Sequence, residues 1–483
     1  MLHKRILLVL VISLSFILLL LSNCAKEERS TKEVPITTNS DEAMQLFLKG
    51  RDMFDKLKTP QAAEYFDKAI ALDKDFAMAY LYRANSGGGY KVYRDNLERA
   101  VELLDQVSEG EKYLILYNQA DNPVSQKVEL DKILALFPDD KRVQDLAGNY
   151  YYGLTDYSKA LDHYKKVISL DSNFALSYNS LGYVYISMEN YAEAEKSFKK
   201  YIELIPDDAN PYDSYAELLL MQGRYDESIE QYNKAIQTDP EFVSALVGIG
   251  NNCIFKKDYK KARDYYQQSY NKSLNINQKL GALWWKAVSF IHEGKTTDAI
   301  NVFEERSKIA FDNNYPTAGI TGYRFAGLTL ADKGNIKEAE RYINKASDLI
   351  SSSKLREEDH KSYEITIGLD RCYLQILKKD IIGAEKNLET PKQVIDKRQV
   401  SAEIEYLNFI TGLLQFHKGN NDLALQYFQK TGEGNPYIWY WKAVAQEKAG
   451  NEQEAKKLFA KVANYNANSV PLALVRDIAK NKM

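Results

Sequence analysis

Small residues recur in this chain at a fixed interval. Four of them share one frame, each 34 residues after the one before: Gly148, Gly182, Ala216 and Gly250. The same step carries a second small residue, an aromatic residue and, in two units, a proline: Ala160, Ala194, Ser228, Ala262; Tyr164, Phe198, Tyr232, Tyr266; Pro206, Pro240. A fixed period of about 20–50 residues predicts stacked repeats instead of one large globular core.

Each repeat is predicted to be a pair of helices. The stretches LTDYSKA, MENYAEA and MQGRYDES place Gly, Asn or Asp at a turn and continue into helix-forming residues. Small side chains let the two backbones of a pair approach closely, and the aromatic residue fills the gap against the next unit. Because one pair cannot bury its own apolar face, the pairs must stack.

The pattern resembles the tetratricopeptide repeat, which has small residues at positions 8 and 20, an aromatic residue at 24 and often proline at 32. Four units then start near Lys141, Ala175, Ala209 and Val243, and a first unit starts near Ala43. With more drift the frame continues to the last unit, which holds Phe459. The resemblance implies an all-α fold, a right-handed α-solenoid of about twelve helix-turn-helix units.

The N-terminus has the pattern of a secretory signal. Lys4 and Arg5 precede an apolar run over residues 6–21, which is short for a membrane-spanning helix. The run ends in Leu21-Ser22-Asn23-Cys24, which resembles a bacterial lipobox and implies lipid attachment to Cys24. An uncleaved anchor helix and ordinary signal cleavage are the alternatives. The resemblance to bacterial lipoproteins implies a lipid-anchored protein of the cell envelope, at the outer membrane.

The sequence therefore predicts five parts. Residues 25–40 are polar and are expected to bury nothing. The parts are a signal peptide over 1–24, a flexible tether over 25–40, an N-terminal array over 41–275 that is degenerate at about 79–138, a C-terminal array over 276–468, and a capping helix over 469–483.

Composition and motifs argue against several functions. The net charge of −3 and pI of about 6.1 give no basis for nucleic-acid binding. The five histidines show no metal-ligand spacing, and no nucleotide-binding or nucleophile motif occurs. Cys253 and Cys372 fall in packing positions more than three units apart, so both are predicted to be buried free thiols. We expect no metal, no cofactor and no enzymatic activity.

Family resemblance also indicates where a partner would bind. In tetratricopeptide repeats, ligands usually meet positions 2, 5, 9, 12 and 13 of the first helix in each unit, on the concave face. These positions hold polar, aromatic and acidic residues, with Arg142 the one basic member: Asp145, Asn149, Tyr152, Asn179, Tyr183, Asn210, Asp213, Glu217, Asn251, Phe255. The alternative is a solvated wall with no ligand.

The leading functional hypothesis is a membrane-anchored scaffold that binds protein or peptide partners in the bacterial envelope. One alternative is an envelope sensor that binds a peptide or small ligand and acts through a separate signalling partner. Another is a structural surface protein that binds polysaccharide through its tyrosine-rich faces.

Overall fold

The computed structural model describes residues 33–432 and 434–483, so the predicted signal peptide and Cys24 lie outside the described residues. The regular structure of the described part is helical, with one short 3₁₀ turn at Leu104–Gln106. Its α-helices are α1 Asp41–Asp55, α2 Thr59–Leu72, α3 Ala77–Asn85, α4 Tyr90–Glu102, α5 Glu109–Gln119, α6 Pro123–Leu136, α7 Lys141–Gly153, α8 Tyr157–Leu170, α9 Ala175–Ser187, α10 Tyr191–Leu204, α11 Ala209–Met221, α12 Tyr225–Thr238, α13 Val243–Phe255, α14 Tyr259–Lys272, α15 Ile276–His292, α16 Thr296–Asp312, α17 Pro316–Asp332, α18 Ile336–Ser352, α19 Glu357–Leu377, α20 Ile381–Arg398, α21 Ser401–His417, α22 Asn421–Gln429, α23 Pro436–Lys448, α24 Glu452–Asn464 and α25 Val470–Lys480.

Consecutive helices pack as pairs, from α1 with α2 to α23 with α24, and α25 follows the last pair. Within the described residues this makes twelve pairs, which confirms the predicted α-solenoid of about twelve helix-turn-helix units. Two of the pairs, α3–α4 and α5–α6, occupy the predicted degenerate region. None of the described helices combines the length and the apolar character needed to cross a bilayer.

The repeated glycine is required because an aromatic ring lies directly on it. A Cβ atom added to Gly148 would lie 2.5 Å from the Tyr164 ring, and one added to Gly182 would lie 2.4 Å from the Phe198 ring. Both rings are buried. The aromatic residue at position 24 therefore packs on the first helix of its own unit, in addition to its predicted role against the next unit.

In the described helix pairs other than α5–α6, the turn between the two helices contains at least one residue in the left-handed conformation. Four of these residues also lie 34 positions apart, with φ values between 57° and 75°: Thr155, Glu189, Gly223, Lys257. Only one is glycine, so the other three carry a strain of roughly 1–2 kcal/mol each. The packing of the helix pair holds them in place.

The chain divides into two compact units, Met1–Ile205 and Pro206–Met483. The described part of the first unit contains α1–α10, and the second contains α11–α25. The array boundary predicted near residue 275 falls inside the second unit, where α14 and α15 pack directly on each other. A division at that point stays a prediction.

Residues 33–40 are bound to the first unit, so the expectation that the tether buries nothing does not hold in its described part. Val34 is buried, and its backbone N–H donates to Asp140 Oδ2 at 2.7 Å. The backbone N–H of Thr37 donates to Glu111 Oε1 at 2.7 Å, and the Thr38 hydroxyl donates to Asp73. Three carboxylates on separate loops and helices thus hold an extended stretch of chain.

The final helix contacts more than the last pair. α25 packs on α23 and α24, as a capping helix would, and it also packs on α15 and α17 earlier in the second unit. Val470, Leu472, Val475 and Ala479 are fully buried in these contacts. The prediction that Cys253 and Cys372 are buried free thiols is confirmed.

Candidate functional site

A pocket of about 370 Å³ lies in the first unit, between the first helices of successive pairs. Its lining comes from α1, α3, α5, α7 and the residues just before and inside α9, and residues 33–36 close one side. We call this space the first-unit pocket. First helices share this face because each helix pair stacks on the one before in the same orientation, which returns every first helix to the same side of the stack.

An ion pair between α1 and α7 crosses the first-unit pocket. Arg142 Nη2 lies 2.6 Å from Asp55 Oδ2, and both side chains are mostly buried. Burial raises the pKa of Asp55, and the Arg142 guanidinium opposes that rise. Arg142 Nε is buried without a hydrogen-bond partner among the described residues. The guanidinium is therefore held mainly by Asp55, and Glu33 Oε2 lies 3.9 Å from its Nη1.

Asp145 is a second buried carboxylate at the pocket. Its Oδ2 accepts a hydrogen bond from Asn149 Nδ2 at 3.0 Å, and its Oδ1 accepts one from the Ser177 hydroxyl at 3.4 Å. Burial, reinforced by the nearby Asp55 charge, raises the pKa of Asp145 to about 7. This side chain is therefore close to its midpoint of ionisation at neutral pH.

Aromatic rings form part of the apolar wall, together with aliphatic side chains. Tyr82 packs edge-on against Phe47 and Phe54, with ring centroids 5.2 and 5.4 Å apart. Burial raises the pKa of Tyr82 to about 12, so its hydroxyl stays protonated. Phe54 and Phe174 complete a lining that mixes apolar surface with a few polar groups. Small-molecule and peptide-anchoring sites have this character.

The predicted residues of the first unit divide into two groups. Asp145 and Asn149 line the first-unit pocket, and Tyr152, Asn179 and Tyr183 do not. The Tyr152 hydroxyl lies 3.3 Å from Ser187 Oγ, and the Tyr183 ring packs edge-on against Phe198. Asn179 is buried, and its Oδ1 lacks a hydrogen-bond partner in the described part of the chain.

The predicted residues of the second unit lie at two places. Asp213, Glu217 and Asn251 line a recess of about 250 Å³, and burial together with the Glu217 charge raises the pKa of Asp213. Asn210 lies at the start of α11, where its backbone N–H donates to Asp208. Phe255 lies outside the recess, beneath the guanidinium of Arg476 at 4.3 Å.

Two of the asparagines are partly used within their own units. Asn149 Oδ1 accepts the Tyr164 hydroxyl at 2.8 Å, and Asn251 Oδ1 accepts the Tyr266 hydroxyl at 2.8 Å. The two contacts join the same repeat positions, 15 residues apart. A tyrosine at position 24 thus fixes the amide at position 9, which orients that amide on the face.

Sequence reasoning missed half of the first-unit pocket although a signal was present. In the unit that starts near Ala43, positions 9, 12 and 13 are Arg51, Phe54 and Asp55, and all three line the pocket. The docked residues 33–36 had no such signal, because their partners lie far away in sequence.

Family models match four parts of the chain. Three models described as "Tetratricopeptide repeat" match residues 173–241, 215–276 and 437–469, and a fourth, described as "TPR repeat", matches residues 148–189. Residues 148–276 and 437–469 of the chain therefore contain tetratricopeptide repeats. The helix pairs before residue 148 continue the same architecture with a weaker sequence pattern.

Several solved structures of repeat proteins are similar over part of this tetratricopeptide repeat chain. A tetratricopeptide repeat protein from Parabacteroides merdae ATCC 43184 is 17% identical with a TM-score of 0.34, covering 56% of this chain and 94% of its own. PilW, described as a widely conserved type IV pilus biogenesis factor, is 18% identical with a TM-score of 0.34, covering 44% and 95%. YrrB, described as a TPR protein with an unusual peptide-binding site, is 22% identical with a TM-score of 0.26, covering 46% and 98%. No curated protein matches the chain.

Proposed function

We propose that this tetratricopeptide repeat protein is a non-catalytic scaffold that holds a segment of a partner protein in the first-unit pocket. The observation that carries the proposal is the pocket itself, which lies on the face where first helices meet and places the polar side chains of Arg51 and Asn85 beside aromatic walls. A few polar groups in a largely apolar pocket orient a bound side chain and give selectivity.

The docked residues 33–40 support the choice of an extended protein segment as the partner. Backbone N–H groups of this stretch are already bound by Asp140, Glu111 and Asp73. The first unit therefore has the chemistry to hold an extended chain through its backbone. This mode gives affinity through main-chain hydrogen bonds and selectivity through side-chain pockets.

We further propose that Cys24 carries lipid and that the scaffold works at a bacterial envelope membrane. The support is the lipobox-like sequence that ends at Cys24. One acyl chain gives only marginal membrane binding, whereas two or more give a stable anchor.

Photo-crosslinking in the native cell tests the scaffold proposal. A photoreactive amino acid replaces the exposed pocket residue Asn85, and in a control it replaces Leu136, which is exposed on α6 and does not line the pocket. We expect protein adducts from position 85 and none from position 136. Equal adducts from both positions, or none from position 85, would contradict the proposal.

A matched pair of substitutions on α1 sharpens the test. Arg51 lines the pocket, and Lys49 is exposed on the same helix outside it. We expect Arg51→Ala to reduce the adduct yield several-fold, because the positive charge and the side-chain stem at the pocket wall are lost. Lys49→Ala should leave the yield unchanged.

The second candidate is a sensor that binds a small ligand in the same pocket. The volume of about 370 Å³ favours it, since small-molecule sites occupy roughly 300–1,000 Å³. Native mass spectrometry of the purified chain separates the two functions. A small molecule that co-purifies with the wild type and with Lys49→Ala, and is lost from Arg51→Ala, would favour the sensor.

A further inference from the structure

Part of the concave face of the second unit is already covered by the chain itself. Residues 465–480, here called the C-terminal segment, run from the end of α24 through α25. They contact Asn251 and Phe255, two of the residues at which the family pattern places a ligand. All of these contacts lie within the second unit.

The amide of Asn468 is bound at both ends. Its Nδ2 donates to Asn251 Oδ1 on α13 at 2.8 Å, and its Oδ1 lies 2.9 Å from His292 Nε2 on α15. Because the amide oxygen accepts, the imidazole must donate from Nε2. Burial lowers the pKa of His292 to about 4, so the ring is neutral and this tautomer is kept near neutral pH. One asparagine thus bridges two consecutive first helices.

Asn466 makes a second set of contacts two residues earlier. Its Oδ1 accepts the Tyr225 hydroxyl at 2.9 Å, and its Nδ2 donates to the Met221 carbonyl at 3.3 Å. Arg476 Nη2 donates to the same Oδ1 at 2.7 Å while its guanidinium covers the Phe255 ring. The arginine therefore ties α25 to the preceding extended stretch and to α13.

The start of α25 packs into an apolar recess, here called the apolar seat. Val470, Pro471 and Leu474 close a recess of about 200 Å³ whose other walls include Phe325 and Phe409. The seat and the asparagine contacts together involve helices from α11 to α23, so the segment reaches across the unit.

The contacts between residues 465–469 and helices α11–α15 are made by side chains. Among the described residues, no backbone-to-backbone hydrogen bond joins this stretch to those helices. The surface therefore recognises a pattern of side chains, namely two amides two residues apart followed by an amphipathic helix with an arginine. Recognition by side chains on a helical face is how a repeat array holds a separate peptide.

We propose that the C-terminal segment is an internal ligand of the second unit, which occupies its concave face and keeps that face closed to other protein segments. The occupant is the chain's own residues 465–480. An outside segment binds there only when it carries the same side-chain pattern and the internal one has left.

Cleaving the connection converts the internal ligand into a separate peptide and tests the proposal. A protease site is inserted after Asn464, which is exposed at the end of α24. The probe is a fluorescein-labelled synthetic peptide of residues 465–483, and its binding is followed by fluorescence anisotropy. We expect the cleaved chain to keep its helical circular dichroism and to exchange its own segment for the labelled peptide.

The uncleaved chain should bind the probe at least about tenfold more weakly, because a tethered competitor acts at an effective concentration near millimolar. A probe with Asn466→Ala and Asn468→Ala should bind the cleaved chain at least about tenfold more weakly than the wild-type probe. An Asn481→Ala probe is the matched control, since Asn481 is an exposed amide at the end of the same peptide and its removal should not change affinity for the face.

Four outcomes would overturn the proposal. Equal affinity of the wild-type and double-alanine probes would show that the asparagine contacts do not select the segment. Equal binding to cleaved and uncleaved chains would show that the face is not blocked. Loss of helicity on cleavage, or failure of the C-terminal segment to exchange with the probe, would show that the segment is a structural part of the fold and not a ligand.

An intact-chain variant gives a measurement that needs no insertion. Asn466→Ala/Asn468→Ala in the full chain leaves the buried apolar side of α25 unchanged. This chain should bind the wild-type probe several-fold more tightly than the wild-type chain does, and an unchanged affinity would count against an internal ligand.

Discussion

At the scale of single residues, a glycine at position 8 lets an aromatic ring pack directly on the first helix in several of the pairs. Helix-interior glycine normally costs roughly 0.5–1 kcal/mol relative to alanine, so its presence needs a compensating contact. The contact is the ring of Tyr164 on Gly148, and the same arrangement recurs with Phe198 on Gly182.

Gly148→Ala should therefore lower stability despite the better helix propensity of alanine. The new methyl group would lie 2.5 Å from the Tyr164 ring, and we expect a loss of about 1–3 kcal/mol from the overpacked contact. Gly153→Ala on the same helix meets no atom within 4 Å and should be neutral or slightly stabilising. Thermal melts of both variants check this, and a similar shift for the two would contradict the packing argument.

Asp145 gives a pH-dependent prediction. Its pKa is raised to about 7, so the folded chain retains a proton that the unfolded chain releases near pH 4. The stabilisation from this proton is fully present below pH 4 and is lost as the pH rises through 7. Asp145→Asn removes the buried charge, so we expect it to stabilise the chain at pH 8 by on the order of 2 kcal/mol and to do much less at pH 5.

Melting temperatures at pH 5 and pH 8 measure this difference. Asp162→Asn is the control, because Asp162 is exposed on α8 and its substitution should have the same small effect at both pH values. If Asp145→Asn behaves like the control, the Asp145 carboxyl is not neutralised in the folded state.

Much of the residue-scale detail could be predicted from the period, and some could not. The period correctly indicates which glycines are buried and that Cys253 and Cys372 are packed. It does not indicate that the Tyr164 hydroxyl donates a hydrogen bond to Asn149, because a pattern of residue size and polarity carries no information on individual hydrogen bonds. The Arg142–Asp55 pair could not be predicted for a different reason. It joins the repeat that starts at Lys141 to the first repeat, and the two degenerate repeats between them obscure the common spacing.

At the scale of elements, the helix starts follow the sequence closely. The four predicted unit starts are the first residues of α7, α9, α11 and α13, beginning with Lys141. Residues 33–40 show the opposite case. Their composition is that of a solvated tether, but carboxylates contributed by later elements bind them, the farthest being Asp140. Such distant partners cannot be inferred from local composition.

Asp140 allows the docking of this stretch to be tested. Its Oδ1 caps α7 by accepting from the backbone N–H of Arg142 at 2.7 Å, and its Oδ2 accepts from Val34. Asp140→Ala should cost about 1 kcal/mol through the lost cap and should also speed amide exchange at residues 34–38 about tenfold.

Asp156→Ala is the matched control, since Asp156 caps α8 through Lys159 and has no contact with residues 33–40 in the structure. It should cost a similar cap energy without changing exchange at residues 34–38. Hydrogen–deuterium exchange with mass spectrometry measures both effects. Unchanged exchange in Asp140→Ala would show that the stretch is held by other contacts.

At the scale of the whole molecule, the binding of residues 33–40 to the first unit shortens the stretch of chain between Cys24 and that unit. Only nine residue steps separate Cys24 from Glu33, and a fully extended chain of that length spans about 30 Å. If Cys24 carries lipid, as we propose, the first unit is held closer to the membrane than a free tether of residues 25–40 would allow.

Cys24→Ala tests the anchor. We expect the variant to leave the membrane fraction after a salt wash, because the acyl chains supply the affinity. Cys253→Ala, which removes a buried thiol, should remain in the membrane fraction like the wild type. A Cys24→Ala protein that still sediments with membranes would exclude a lipid on this residue as the main anchor.

The two units use a common face in different ways. In the first unit it lines a pocket with ionisable groups. In the second unit it is covered in part by α25 and the residues before it. A 34-residue period predicts that such a face exists. It cannot predict how much of the face is covered, because this depends on contacts between repeats that are far apart in the sequence.

The bridge made by Asn466 has a consequence for the order of folding events. Its contacts with Tyr225 and Met221 join residues 241 and 245 positions apart, whereas a helix pair is completed within about 34 residues. Contacts between distant residues form slowly because a long loop must first be closed. During renaturation the helices of the second unit should therefore appear early, and the joining of α25 to α13 and α15 should be a late event with its own, slower rate.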